Sequence, residues 1–166
     1  MERREFVGWA FGASMGWPLA ARAQPRKKLP RLGVLMASLS SDGEGQKRAG
    51  ALKAGLDALN WRDSDNLSID WRWACGDSKL FQRYAAEIVQ LNPEVLVAEA
   101  TPSVEALRQQ TSTIPIVFVL VTDPLGQGFV QSLTRPGGNI TGFSNYDAPM
   151  AGKWLSMLTQ ILPLYS

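Results

Sequence analysis

The chain has 166 residues, of which 45% are hydrophobic and 19% charged, so it is long enough to bury the core of one globular domain. Its formal net charge of +2 is too small for the clustered basic surface that nucleic-acid binding requires, and nucleic acid is therefore not expected as a partner. It contains no histidine, which excludes the commonest general base and metal ligand, and its one cysteine excludes an internal disulfide.

The N-terminus has the three parts of an export signal. Arg3 and Arg4 form a positive pair, an apolar run follows from Phe6 to Leu19, and Ala21 and Ala23 occupy A-x-A positions. Twin arginines followed by x-Phe resemble the twin-arginine signal, and the apolar run is shorter than the roughly 20 residues of a membrane span. We expect cleavage near Ala23 and release into the periplasm; the alternative is an amphipathic N-terminal helix.

After a basic linker over residues 24–31, apolar runs of strand length alternate with stretches of helical periodicity. In chain order, the pattern predicts a strand at 32–37, a helix at 45–60, a strand at 67–74, a helix at 78–91, a strand at 94–100, a helix at 102–112, a strand at 114–123, a short helix closed by glycine at 125–138, a strand at 139–144 and a final helix from 148.

Strands that alternate with helices form right-handed crossovers, which produce a mainly parallel sheet covered on both faces. The predicted fold is therefore a doubly wound α/β domain with five strands in the order 2-1-3-4-5. Asp77 is the expected N-cap of the second helix, and Thr101 with Pro102 the expected start of the third. The final helix carries an apolar stripe that has to pack against another surface.

Ligands of open parallel sheets bind beyond the carboxyl ends of the strands, where loops and helix N-termini present free N–H groups. Hydroxyls and a carboxylate follow three of the predicted strands, and an aromatic ring and a hydroxyl lie at the fifth, a combination that suits a small polar ligand such as an amino acid. The candidate ligand-binding residues are Ser38, Ser40, Ala100, Thr101, Pro102, Thr122, Asp123, Phe143 and Ser144. For each residue taken alone, the alternative is a helix cap or a turn.

Glycine-rich phosphate loops are missing from the sequence: neither G-x-G-x-x-G nor G-x-x-x-x-G-K-[ST] occurs. No cofactor and no catalytic residue are therefore expected. Three carboxylates, Asp42, Asp77 and Asp123, remain as the acids or bases of a less favoured alternative, a small enzyme.

The chain resembles the ABC-transporter substrate-binding proteins of the periplasmic type I class in five stretches. The most specific stretch is TIPIVFVLVTDPLGQGFVQSLTRPGGNITGFS; the others are RREFVGWAFGASMGWPLAARAQP, RLGVLMAS, DWRWACGD and AGKWLSMLTQILP. The resemblance implies a two-lobed protein that closes on a small solute, aromatic amino acids among them, and passes it to an ABC permease in the inner membrane. It implies no catalysis.

Members of that family continue after the final helix into a second lobe, whereas this chain stops at Ser166. The expected division is an export signal at 1–23, a linker at 24–31, a ligand-binding first lobe at 32–147 and a helix at 148–166 that leads towards a missing second lobe. Besides the enzyme hypothesis, the sequence leaves two others. One is a solute-binding module; the other is a truncated fragment without ligand function that self-associates through the surface left by the missing lobe.

Overall fold

Five parallel strands and four helices alternate along the chain in the computed structural model, which describes residues 28–146 and 149–162. The elements are β1 (Arg31–Met36), α1 (Gly43–Ala58), β2 (Ser68–Trp73), α2 (Ser78–Gln90), β3 (Val95–Glu99), α3 (Ala100–Gln110), β4 (Ile116–Thr122), β5 (Ile140–Tyr146) and α4 (Pro149–Ile161). The predicted export signal lies outside the described residues.

The strand order is β2-β1-β3-β4-β5, and all four neighbouring pairs are parallel. This confirms the predicted doubly wound α/β sheet and its order. The chain moves from β1 to β2 in one direction and returns past β1 to β3, so β1 and β3 flank the point at which the winding reverses.

One face of the sheet is closed by α2 and α3. Here Leu96 and Ala98 of β3 and Ile116 and Phe118 of β4 are at most 1% exposed. A continuous apolar run with every second side chain on this face is what a buried parallel strand requires.

The other face is covered only in part. Leu32, Val34 and Met36 of β1 pack in a second cluster that includes Leu52 and Leu56 of α1. Val95 and Val97 of β3 pack against this cluster but stay half-buried, and the apolar side chains of β4 and β5 on this face are half-buried or exposed. We call them the open face: Val95, Val97, Val117, Val119 and Phe143.

Asp42 and Asp77 begin the first two helices, as polar N-caps do. The Asp42 carboxylate accepts from the N–H of Gly45 at 2.8 Å, and the Asp77 carboxylate accepts from the N–H groups of Lys79 and Leu80. The predicted cap at Asp77 is confirmed.

Two predicted helices differ from the structure. The third begins at Ala100 rather than after a cap at Thr101, because Glu99 holds the N-cap position. Residues 125–138 form turns instead of a short helix: the N–H groups of Phe129 and Val130 both donate to the Pro124 carbonyl, at 2.9 and 3.4 Å. Phe129 and Val130 are buried in the cluster that α2 and α3 share, and this packing holds a segment whose backbone hydrogen bonds form separate turns rather than a continuous helix.

No helix among residues 28–146 and 149–162 is long and apolar enough to cross a membrane.

Candidate functional site

The carboxyl ends of β1 and β3 lie side by side, since Leu35 pairs with Ala98 in the parallel register. The residues that follow, Ala37 and Ser38 after β1 and Ala100 after β3, therefore meet at one edge of the sheet. This is the switch point of the winding, where open α/β sheets bind their ligands.

Glu99, the last residue of β3, links the carboxyl ends of β1 and β3. The residue is 2% exposed, and its carboxylate accepts from the Ala37 N–H at 2.9 Å, the Ser38 N–H at 3.4 Å and the Ser38 hydroxyl at 3.2 Å. A buried carboxylate is costly unless it is paired and hydrogen-bonded, and this one is both. The loop after β1 is thus held against the end of β3.

Arg48 of α1 supplies the opposite charge, donating from Nη1 to Glu99 Oε1 at 2.7 Å. The N-terminal turn of α1 packs closely against the same loop: a Cβ on Gly45 would lie 2.4 Å from the Ser38 hydroxyl oxygen. Only glycine allows this approach. Three elements are therefore fixed around one carboxylate.

The N-terminus of α3 faces this edge without a side-chain cap, because Glu99 occupies the N-cap position but uses its carboxylate on the β1 loop. The first N–H groups of a helix have no intrahelical partner, and together with the helix dipole they attract an anionic group. Ala100, the first residue of α3, has a φ of 66°. A non-glycine residue in the left-handed region has a strained backbone, and residues with strained backbones are found more often at functional sites.

The end of β4 is irregular in the same way. The register with β5 shifts on either side of Val121, Leu120 has a φ of 58° and Asp123 has a φ of 48°. The Asp123 carboxylate accepts from the N–H of Gly126 at 3.0 Å, which closes the turn after the strand. The Thr122 hydroxyl donates to the Asn145 side chain at 3.2 Å.

The sequence-predicted residues therefore divide into groups. Ser38, Ala100 and Thr101 lie at the switch point between β1 and β3, and Thr122 and Asp123 lie one strand further along the same edge. Phe143 and Ser144 lie within β5 rather than beyond its end, paired with Val119 and Val121.

The remaining two candidates contribute less to the edge. Ser40 is exposed, and its carbonyl accepts from the Gln46 side chain at 2.6 Å. Pro102 is exposed and lines a shallow cavity of about 260 Å³ with residues of the β2–α2 turn and α2, including Ser78 and Phe81.

The carboxylates considered for an enzyme all have structural roles: Asp42 and Asp77 cap helices and Asp123 closes a turn. Within the described part of the chain, no three side chains of the types that bind metal ions are grouped as a metal site would require.

The sequence analysis missed two residues of this edge: Glu99, whose carboxylate lies at its centre, and Arg48, its ion-pair partner. A signal for Glu99 was present, because a carboxylate ends the otherwise apolar strand VLVAE. An ionisable residue at the buried end of a parallel strand requires a partner. Nothing in the spacing of α1 identifies Arg48 as that partner.

An open parallel sheet whose polar loops meet an uncapped helix N-terminus at the switch point is the architecture in which α/β domains bind small molecules. The family model for ABC transporter substrate binding proteins matches residues 33–165, which is most of the chain. The chain therefore belongs to the ABC transporter substrate-binding protein family.

Three similar proteins extend this finding. A tyrosine-binding protein of Clostridioides difficile (strain R20291) is 38% identical over 99 residues, which are 60% of this chain and 28% of that protein. The crystal structure of an ABC domain in complex with L-Trp from Streptococcus pneumonia is 28% identical with a TM-score of 0.65, covering 70% of this chain and 38% of that one.

A conserved domain protein from Vibrio cholerae O1 biovar El Tor is 34% identical with a TM-score of 0.70, covering 82% of this chain and 45% of its own. The chain thus spans less than half the length of each of these three relatives.

Proposed function

We propose that the chain is the solute-binding component of an ABC import system and that it binds a small polar solute, an amino acid, at the carboxyl edge of β1, β3 and β4. The observation that carries the proposal is the use of the Glu99 carboxylate: it bonds to the β1 loop and leaves the N-terminus of α3 uncapped beside Ser38. The carboxylate of an amino acid suits that helix end.

Two relatives support the ligand class. One is named for tyrosine binding, and the other was crystallised with L-Trp. The edge offers hydroxyls at Ser38, Thr101 and Thr122 and a carboxylate at Asp123, the latter suited to an ammonium group. In this proposal the carboxylate of the ligand lies at α3 and its ammonium group near Asp123.

The solute would be held in a cleft between this lobe and a second one. Such a cleft buries most of its ligand's surface, whereas one wall leaves half of the ligand in water. We expect the chain alone to bind more weakly than its two-lobed relatives. Export to the periplasm and delivery to an inner-membrane permease complete the proposed role, which includes no catalysis.

The test is a thermal-shift titration of the full chain with L-tyrosine and L-tryptophan, followed by isothermal titration calorimetry, with sucrose as the control solute. Ligand at ten times its Kd stabilises the folded state by about 1.4 kcal/mol, or roughly 3–6 °C. A saturable rise with one amino-acid class, and none with sucrose, is the expected result. A cooperative melt that no amino acid shifts would refute the proposal.

A second candidate is a fragment that has lost ligand binding and self-associates through the surface a second lobe would cover. The exposed apolar side chains of α4, Leu155, Met157, Leu158, Ile161 and Leu162, favour it. In that case the chain melts cooperatively, and its mass in solution exceeds that of one chain.

A further inference from the structure

Among the described residues, β2 has β1 as its one neighbouring strand and so lies at an edge of the sheet. An edge strand presents backbone N–H and C=O groups to which a strand of another molecule can add, which leads to aggregation. Proteins therefore protect such edges, and the side-chain contacts of β2 bear on how this one is protected.

The outward-facing backbone groups of β2 follow from its register. The N–H of Ser68 donates to the Pro30 carbonyl and the N–H of Ala74 donates to the Met36 carbonyl, both at 2.9 Å, so the even-numbered residues face β1. In an extended strand, successive residues direct their N–H and C=O groups to opposite sides. The strand residues that face away from the sheet are therefore Ile69, Trp71 and Trp73.

At the start of β2, the preceding turn occupies the edge. The Asp63 carboxylate accepts from the Ile69 N–H at 3.1 Å, and the Ser64 N–H donates to the Leu67 carbonyl at 2.8 Å. Lys53 of α1 forms an ion pair with the other carboxylate oxygen of Asp63, at 3.8 Å. This turn thus takes the place that the first residues of an added strand would need.

Further along β2, two side chains bond to outward-facing carbonyls. Arg72 donates from Nη1 to the Trp71 carbonyl at 3.0 Å, and Cys75 donates from Sγ to the Trp73 carbonyl at 3.5 Å, a weaker bond because a thiol is a weak donor. Glu87 of α2 accepts from Nε of Arg72 at 3.1 Å. Both bonds of the guanidinium therefore keep it at the edge of β2.

These bonds interrupt the pattern that an added strand requires. An antiparallel partner needs the N–H and the C=O of the same residue. Each of the three outward-facing residues of β2 already has one of these two groups bonded within the chain. A parallel partner needs the C=O of one outward-facing residue and the N–H of the next, and the bonds leave at most one such pair, the Ile69 carbonyl and the Trp71 N–H.

We propose that Asp63, Arg72 and Cys75, the edge caps, close the β2 edge to strand addition. In consequence β2 remains the terminal strand of the sheet, and no strand of a second copy or of another part of a longer chain adds beside it. The caps belong to the chain itself, so the closure does not require an amino acid at the carboxyl edge.

The first test is amide hydrogen exchange of the ¹⁵N-labelled full chain, followed by NMR. We expect the Trp71 and Trp73 amides to exchange at least about tenfold faster than the amides of Asp70 and Arg72, which face β1, and than the capped amide of Ile69. Equal protection of the outward and inward amides would show a further strand on β2 and overturn the proposal. An Ile69 amide that exchanges as fast as that of Trp71 would also overturn it.

The second test removes two of the caps. Asp63→Ala with Arg72→Leu deletes one acceptor and one donor, and this cap-free variant should associate at least about fivefold faster than the wild type, measured by thioflavin T fluorescence. Asp63→Asn with Arg72→Lys keeps an acceptor oxygen and a donor and should associate at the wild-type rate. The matched control is Glu105→Ala with Arg108→Leu, which removes an ion pair of comparable exposure on α3.

Each variant is measured at the same interval below its own melting temperature, so that a loss of stability does not pass for an open edge. A folded cap-free variant that associates no faster than the control overturns the proposal. So does faster association in which the Trp71 amide stays unprotected, because the contact then lies elsewhere. The exchange experiment uses the wild type and decides the question even if circular dichroism shows that the cap-free variant does not fold.

Discussion

Glu99 is the residue on which the carboxyl edge depends. Its carboxylate accepts from two backbone N–H groups and a hydroxyl of the loop after β1, and from a guanidinium of α1. Removing one acceptor from a buried network leaves the remaining donors unsatisfied, which costs more than the bond itself contributed.

Glu99→Gln keeps the shape of the side chain and replaces one acceptor oxygen with an amide donor. We expect a loss of about 1–3 kcal/mol in the free energy of unfolding, measured by urea denaturation. The matched control is Glu105→Gln, which removes the partly exposed ion pair with Arg108 and should cost less than about 1 kcal/mol. Equal costs for the two variants would show that Glu99 does not organise this edge.

Asp123 closes the turn after β4 and is also proposed to bind the ligand's ammonium group. One substitution can test the second role without removing the first. Asn retains the side-chain oxygen that accepts from Gly126 and tolerates the positive φ, but it has no charge. Asp123→Asn should therefore melt within about 2 °C of the wild type while its affinity for the bound amino acid falls about tenfold, as calorimetry would measure. If the affinity is unchanged, Asp123 does not contact the ligand.

Among the elements, β5 depends on a glycine. A Cβ on Gly142 would lie 2.0 Å from the Phe118 carbonyl oxygen, and the residue has a φ of 157°, so any side chain would force the backbones of β4 and β5 apart. Gly142→Ala should destabilise the fold by about 1–3 kcal/mol, the usual cost of overpacking, with a corresponding fall in the urea midpoint.

Gly138→Ala is the control for Gly142→Ala, since a Cβ there would meet no atom within 4 Å. Its urea midpoint should stay close to that of the wild type. A Gly142→Ala protein as stable as this control would show that β5 does not pack on β4 in the register described.

Two carboxylates with a lowered pKa, Glu87 and Glu94, contribute to stability against acid. Arg83 and Arg72 hold the pKa of Glu87 below its ordinary 4.5, and the backbone N–H of Arg31 does the same to the pKa of Glu94. A carboxyl whose pKa is lowered by folding stabilises the native state above its ordinary pKa and loses that contribution as the pH falls through the lowered value.

The melting temperature should therefore vary little between pH 7 and about pH 5 and fall as the pH drops below 4.5. Glu87→Gln, in which residue 87 no longer titrates, should show a smaller fall over the same range. Calorimetry across the pH series measures both. A melting temperature that rises on acidification would contradict this assignment.

The sequence was sufficient for the elements whose determinants are local. Apolar runs and helical spacing predicted the five strands, and the polar cap at Asp77 predicted the start of α2. The start of α3 was wrong because Glu99, a residue that tertiary contacts hold in place, took the N-cap position. The turns at 125–138 were missed because the burial of Phe129 and Val130, a tertiary contact, favours separate hydrogen-bonded turns over a continuous helix.

At the scale of the whole molecule, the alternation of strands and helices was enough to predict the sheet order, since crossovers have one hand. It also brought Ser38, Thr101 and Asp123 to one edge. The Glu99–Arg48 pair and the open face could not be predicted, because both depend on how far α1 extends across the sheet. Periodicity does not report which strands a helix covers.

Phe143 was predicted as a ligand residue, but its side chain lies on the open face of the sheet.

Binding at the carboxyl edge is tested most directly by an NMR titration of the ¹⁵N-labelled full chain with L-tyrosine and L-tryptophan. The predicted result is saturable shift changes concentrated at the amides of Ala37, Ser38, Ala100, Thr101 and Asp123. Shift changes confined to α1 and the open face, or no changes at millimolar amino acid, would contradict a solute site at the switch point of the sheet.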